Sequence, residues 1–138
     1  MKTIWTLMII GGLMLSLYAC KKDNSKPSII GKWNIVNDST YVGAAVNNHL
    51  VAYNGMPGDY FNFNANGSVY TKEGASLNIL PYKLVSDTTI DIQSFAYNTN
   101  GTFQACRINT FTAHSLVIEV PKLITFGGTT GRRVSLSR

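Results

Sequence analysis

The sequence predicts an all-β protein, an eight-stranded antiparallel up-and-down barrel, and three observations support this fold class. After residue 28, apolar and polar side chains alternate with a period of two in successive short stretches, which is typical of half-buried strands. The same region has no long stretch with the 3.6-residue period of a helix. Its predicted connections alternate between long and short, as in a meander whose turns lie at two opposite ends. Closing such a sheet into a barrel removes its exposed edges.

The first half of the barrel contains four predicted strands. Trp33 and Ile35 alternate with polar neighbours in the first, and Phe61 and Phe63 do so in the second. The turn at residues 64–67 separates the second strand from the third, since its glycine can adopt a positive φ. These four strands are predicted at residues 31–37, 58–63, 67–72 and 80–86.

The second half follows the same pattern. Alternation begins at Ile90, at Leu116 and at Val134, and the intervening connections contain turn residues. Residues 87–88 and 111–114 form predicted short turns. The remaining strands are predicted at residues 89–94, 103–110, 115–121 and 131–138.

The long connections predict where the barrel opens. The first, Asp38–Pro57, is the longest, and within it residues 44–53 fit either a helical turn or a short strand. Three others, at residues 73–79, 95–102 and 126–130, should lie at the same end, whereas the short turns close the opposite end. We expect Asp38–Pro57 to be a mobile loop that folds over the mouth.

Aromatic and histidine side chains of the long connections are the candidate ligand-binding residues. They either line a site for a small apolar or sugar-like ligand or pack the loops against the barrel. An eight-stranded barrel is just wide enough to be filled by its own side chains or to hold one small ligand. The sequence is therefore compatible with a filled interior and with a hollow one. The candidates are Tyr41, His49, Tyr53, Phe95, Tyr97 and Phe126.

Residues 1–19 are predicted to be a signal peptide. Lys2 supplies the positive charge that signal peptides carry near the N-terminus. Ile4–Ala19 is an uncharged, mostly apolar run that is shorter than the roughly 20 residues a membrane-spanning helix needs. The stretch from Leu17 to Cys20 resembles a bacterial lipobox, although Tyr18 is bulkier than is usual there. An ordinary secretory signal with an incidental cysteine is the alternative.

The lipobox resemblance implies a lipoprotein. Cleavage before Cys20 would be accompanied by acylation of its thiol and amine with palmitate-like chains, and several such chains anchor a protein stably in a membrane. Residues 20–28 then form the lipidated cysteine and a flexible tether, and residues 29–138 form the barrel domain. The implied location is the bacterial outer membrane, facing either the periplasm or the cell surface.

The barrel sequence itself resembles the lipocalins. Gly31-Lys32-Trp33 matches their Gly-x-Trp signature on the first strand, and residues 59–69 are similar to the second hairpin of small lipocalin-like bacterial lipoproteins. Lipocalins place an arginine from the end of the last strand across this tryptophan. The resemblance implies that Arg138 stacks on Trp33 and, with Gly31, closes one end of the barrel. An exposed terminal arginine is the alternative.

Several function classes are disfavoured. The net charge of +5 comes from scattered basic residues rather than one basic face, which argues against nucleic-acid binding. His49 and His114 lack metal-ligand spacing, so neither a metal nor a cofactor is expected. No acidic pair is predicted on one inward face, and no nucleophile elbow or phosphate loop occurs, so we expect no enzyme. Cys106 is interpreted as a small buried hydrophobe.

Two functions from different classes remain. The first is a lipid-anchored protein that binds a small ligand at the barrel mouth. The second is an anchored interaction module with a filled barrel, whose loops contact another envelope protein or a host molecule. The sequence does not indicate an oligomeric state.

Overall fold

The computed structural model describes residues 26–138 as an antiparallel β-barrel. The predicted signal peptide and Cys20 lie outside these residues. A single 3₁₀ turn, Ala45–Asn47, interrupts the strands, and within residues 26–138 no helix is long and apolar enough to cross a membrane. The strands are β1 (Gly31–Val42), β2 (His49–Asn54), β3 (Tyr60–Phe63), β4 (Ser68–Glu73), β5 (Ser76–Ser86), β6 (Thr89–Gln93), β7 (Phe103–Phe111), β8 (Ser115–Thr125) and β9 (Gly128–Ser137).

The barrel closes because β1 pairs with β9 as well as with its neighbours on the other side. Strands β3 to β9 follow one another around the barrel in chain order, each antiparallel to the next. One edge of β1 carries two partners end to end, β3 along Gly31–Asn34 and β2 along Asn37–Val42. The predicted all-β, eight-stranded antiparallel barrel is therefore confirmed, with β2 as one additional strand.

The stretch Asp38–Pro57 is a β-hairpin, so the prediction of a loop over this whole stretch is wrong. Strand β1 continues to Val42, and the chain returns as β2 in register with it. The side chain of Asn48 holds the turn, since it donates hydrogen bonds to the carbonyls of Gly43 (3.1 Å) and Thr129 (2.9 Å). Residues 44–53 were expected to form either a helical turn or a short strand. They contain both, the 3₁₀ turn Ala45–Asn47 followed by β2.

Two further connections are shorter than predicted. The β4–β5 turn consists of Gly74 and Ala75, and the β8–β9 turn of Phe126 and Gly127. Gly74 has a φ of 57°, which lets the chain reverse within two residues. The β6–β7 connection is long, as predicted. The mouth is consequently framed by three hairpins, β1–β2, β4–β5 and β8–β9, and by the β6–β7 loop.

The barrel interior below the mouth is filled by side chains. Aromatic rings pack against one another there, with ring centres 6.4 Å apart for Phe61 and Phe63 and 5.1 Å apart for Phe63 and Tyr82. Burying each large side chain contributes about 1.5–3 kcal/mol. The largest fully buried apolar side chains are Trp33, Phe61, Phe63, Phe95, Ile90, Ile92, Leu116, Ile118, Leu136, Val69 and Val134.

The end of the barrel at Trp33 is closed by Arg138. The indole ring is fully buried, and its Nε1 donates to the carbonyl of Ile29 at 2.8 Å. The Arg138 guanidinium lies 4.0 Å from the ring centre and donates to the carbonyls of Ser28, Ile30 and Ala113. Gly31 (φ 111°) passes close to this guanidinium, because a Cβ there would lie 3.6 Å from Arg138 Nη1.

Candidate functional site

A cavity of about 600 Å³ opens at the end of the barrel opposite Trp33. Strands β1, β4, β5 and β9 and the β6–β7 loop form its walls. In β4 and β5, every second residue lines the wall, as expected for strands, whereas three consecutive residues of β1, Thr40–Val42, border it. Most of these side chains are polar. The polar lining residues are Thr40, Thr71, Glu73, Ser76, Asn78, Ser94, Asn98 and Arg132.

An ion triad forms the floor of this cavity. Arg132 Nε donates to both carboxylate oxygens of Asp38, at 3.2 and 3.0 Å, and Arg132 Nη2 donates to Asp38 and Glu73. Arg132 Nη1 donates to the carbonyl of Phe95 at 2.9 Å. The side chain of Asp38 is 3% exposed, that of Arg132 13% and that of Glu73 29%. Glu73 is therefore the carboxylate that faces the cavity.

Aromatic rings separate this triad from the apolar core. The Arg132 guanidinium lies 4.8 Å from the ring centre of Phe95 and 5.7 Å from that of Phe61. The two rings meet edge to face at 6.2 Å. Cation–π contact with both rings stabilises a buried guanidinium. The polar mouth and the filled core thus share one wall, the aromatic layer beneath Arg132.

Burial and charge act in opposite directions on the triad. Burial is the largest influence on Glu73 and raises the pKa of its carboxyl above the usual value, although Arg132 opposes this shift. Burial also disfavours the charge on Arg132, but hydrogen bonds and charges from Asp38 and Glu73 outweigh it and raise the pKa of the guanidinium. With both carboxylates ionised, the triad carries two negative charges and one positive charge.

The expectation that no acidic pair falls on one inward face is wrong, because Asp38 and Glu73 meet at Arg132. A β-bulge between Ile35 and Asn37 shifts the pairing of β1 with β9. The bulge adds one residue, so Ile35 and Asp38 both face inward although three positions separate them. Glu73 is inward by ordinary alternation with Thr71, and that parity was a signal available in the sequence.

Three of the six predicted ligand-binding residues line the cavity. Tyr97 lies at the rim on the β6–β7 loop and is 45% exposed. Phe95 lines the floor and is almost fully buried. Tyr41 borders the cavity from β1, but its ring lies with the outer wall, where the Lys122 ammonium is 5.3 Å from the ring centre. The amide N–H of Ala96 donates to Gln104 Oε1 at 2.8 Å, which holds this loop against β7.

The other three residues lie elsewhere. His49 is exposed on β2, with Nδ1 2.8 Å from the carbonyl oxygen of Asn47. Phe126 is fully exposed at the tip of the β8–β9 hairpin. The hydroxyl of Tyr53 donates to Asp59, and this bond lowers the pKa of the Asp59 carboxyl and raises that of Tyr53. Tyr53 therefore joins β2 to the segment before β3 rather than lining the mouth.

Reactive and metal-binding types of side chain also occur elsewhere in residues 26–138. Cys106 is buried on β7, and this burial raises the pKa of its thiol to about 12, so the thiol stays protonated at neutral pH. Within residues 26–138, no group of three or more histidine, cysteine or acidic side chains is arranged to hold a metal ion.

Comparisons of the chain with protein-family models, with curated proteins and with solved structures find no match.

Proposed function

We propose that this chain is a lipid-anchored envelope protein, lipocalin-like in its barrel, that binds a small polar ligand at the barrel mouth. The observation that carries this proposal is the cavity of about 600 Å³ with polar walls and the ion triad as its floor. A volume of this size suits a small molecule. Of the apolar and polar ligands that the sequence left open, the polar side chains of the wall favour a polar ligand.

The triad supports a binding role because stability alone does not require it. Replacing buried ion pairs by well-packed apolar side chains is often neutral or stabilising. Apolar residues fill the rest of this barrel, and only the mouth keeps an arginine with two carboxylates. A site that orients a polar ligand, in contrast, needs fixed charges and hydrogen-bonding groups around an open space.

The position of the tether is consistent with an anchored binding protein. The carbonyls of Ser28 and Ile30 accept hydrogen bonds from Arg138, so the chain enters the barrel at its closed end. A lipid on Cys20 would thus hold the closed end towards the membrane. The mouth would then point away from the lipid surface, where a ligand can reach it.

Lipid anchoring is tested by labelling. We expect Cys20→Ala to abolish incorporation of radiolabelled palmitate and to move the protein from the membrane fraction to the soluble fraction, because the acylated thiol is removed. Cys106→Ala is the matched control and should leave labelling unchanged, since Cys106 is buried in the barrel. Continued labelling of Cys20→Ala would contradict the anchor assignment.

Ligand binding at the mouth is tested by filling the cavity. We expect native mass spectrometry of the full chain, purified in detergent from the cells that make it naturally, to detect a small-molecule adduct. The variant Asn78→Trp should lose the adduct, since Asn78 lines the cavity and an indole would occupy it. Ile79→Trp is the control, because Ile79 is the next residue on β5 and is exposed without lining the cavity.

Two results would contradict the binding proposal. An adduct that persists in Asn78→Trp would show that the molecule binds elsewhere. A wild-type chain that carries no adduct and acquires none from an extract of small metabolites would remove the reason to assign a ligand to the mouth.

A second candidate function is an interaction module that acts through the hairpin tips. Three apolar side chains there are strongly exposed: Val46 is 96%, Ile124 73% and Phe126 fully exposed. Asn48 joins the two tips through Thr129, whose amide donates to Asn48 Oδ1 at 2.8 Å. Exposed apolar patches of this kind often mark protein contacts. Loss of function in Phe126→Ser, with Asn78→Trp fully active, would favour this candidate over ligand binding.

A further inference from the structure

We infer that the ligand of the mouth is a small organic cation, an amine or a guanidinium compound, whose charge is bound by Glu73. This inference rests on the proposed binding function and specifies the chemical class of the ligand. Three features of the cavity support it: the arginine is already occupied, the site has an excess of negative charge, and the aromatic residue Tyr97 borders the same cavity.

Arg132 is occupied by groups of the protein itself. Its Nε and Nη2 donate to Asp38 and Glu73, and its Nη1 donates to the carbonyl of Phe95. A guanidinium has five N–H groups in a fixed fork, so these contacts leave little capacity for an anionic ligand. Arg132 is therefore a positioning residue, which fixes the two carboxylates and does not itself receive the ligand.

The charge of the site favours a cation. Among the described residues that line the cavity, Glu73 is the only acid and Arg132 the only base. Asp38 lies behind Arg132 and is almost fully buried, so its charge is directed at the guanidinium. An anionic ligand would meet the excess negative charge of the triad, whereas a cation would neutralise it.

Glu73 has the geometry to accept a ligand. Its Oε1 accepts a hydrogen bond from Arg132 Nη2, and the carboxylate also lies against that of Asp38. The side chain is 29% exposed towards the cavity, so the exposed part of the carboxylate can accept a hydrogen bond from an N–H group of a ligand. Tyr97 also borders the cavity, and its ring suits the alkyl or aryl part of an amine as well as its charge.

The inference predicts a pH dependence with a definite sign. Burial raises the pKa of Glu73, so this carboxylate protonates at a higher pH than an exposed glutamate would. The groups facing it are Arg132 on β9, Asp38 on β1 and the hydroxyl of Tyr53 on β2. Since only ionised Glu73 attracts a cation, affinity is full above its pKa and is lost as the pH falls through that value.

The test uses three probes with the same ring and different charge. Benzylammonium, benzyl alcohol and benzoate are titrated calorimetrically into the purified full chain in a non-ionic detergent. We expect benzylammonium to bind about 10-fold more tightly than benzyl alcohol, and benzoate to bind most weakly, because a charge-assisted hydrogen bond is roughly twice as strong as a neutral one. Benzylammonium keeps its charge between about pH 4 and 8. Its affinity should therefore fall on acidification over that range, whereas that of benzyl alcohol should not.

The variant Glu73→Gln keeps the shape of the side chain and removes its charge. We expect it to abolish the roughly 10-fold preference for benzylammonium and to flatten the pH dependence. Glu119→Gln is the matched control, because Glu119 pairs with Arg133 on the outer wall. The wild-type pH titration tests the same claim without any substitution, should Glu73→Gln fold poorly.

The outcomes separate this inference from the proposed function. Equal affinity for benzylammonium and benzyl alcohol, or tighter binding of benzoate, would overturn the cation assignment while leaving binding at the mouth intact. No binding of any of the three probes to the wild-type chain would overturn the cation assignment alone, since the proposed function is tested separately by the adduct that Asn78→Trp should lose.

Discussion

Replacing Trp33 with alanine is expected to destabilise the barrel by about 3–5 kcal/mol, because a fully buried indole is lost and a cavity remains. The substitution also removes the hydrogen bond to the Ile29 carbonyl and the ring beneath Arg138. Domains of this size have a total stability of roughly 5–15 kcal/mol, so the loss should lower the melting temperature sharply. Urea unfolding followed by circular dichroism measures the change.

Phe126→Ala is the matched control for this prediction, since Phe126 is an equally apolar but fully exposed ring. Its removal should change the free energy of unfolding by no more than about 0.5 kcal/mol. Equal unfolding midpoints for Trp33→Ala and the wild type would show that the closed end does not stabilise the barrel in the way its packing indicates.

Replacing Arg132 with methionine should have an effect of similar size at the other end of the barrel. The variant leaves Asp38 and Glu73 facing one another without the guanidinium that neutralises them. Removing one partner of a buried ion pair typically costs about 3–5 kcal/mol. Arg133→Met is the matched control, because the Arg133–Glu119 pair is exposed, and such pairs contribute only about 0–1 kcal/mol.

The pH dependence of Arg132→Met provides a second measurement. Burial raises the pKa of Glu73 in the folded state, and removing Arg132 removes the charge that opposes this shift. Ionised Glu73 then disfavours folding above its unfolded pKa, and stability recovers as the pH falls and the carboxyl becomes protonated. The difference in stability from the wild type should therefore shrink on acidification. A difference that stays constant with pH would contradict the assignment of the loss to unpaired carboxylates.

The parts of the fold that the sequence predicted are those where one face of a strand is buried. In such strands the core selects an apolar residue at every second position, as at Trp33 and Ile35 or Ile90 and Ile92. The hairpins at the mouth extend beyond this core and expose both faces, as the exposure of Leu50, Leu77 and Ile124 shows. With both faces exposed, no core selects apolar residues at every second position. Strand β2 and the distal parts of β5, β8 and β9 could therefore not be predicted from periodicity.

The candidate site was harder to predict for two physical reasons. First, the bulge after Ile35 changes which residues of β1 face inward, and no glycine or proline at that point signals it. Asp38 consequently joins Arg132 inside the barrel. Second, aromatic residues assigned to loops proved to lie on hairpins, where Tyr53 bonds Asp59 and Phe126 faces outward. Among the polar side chains of the cavity wall, Thr71 follows the parity of a predicted strand, whereas Asn78 lies in the distal part of β5, which was predicted as a connection.

The central claim is that the barrel is filled and that a ligand binds at its mouth. Amide chemical-shift mapping of the full chain with benzylammonium tests it most directly. We predict shifts at Thr71, Asn78 and Tyr97, with none at Trp33 or Phe126, because the first three residues line the cavity and the last two lie at the closed end and at a hairpin tip. Shifts confined to Trp33 or Phe126, with the cavity residues unmoved, would contradict it.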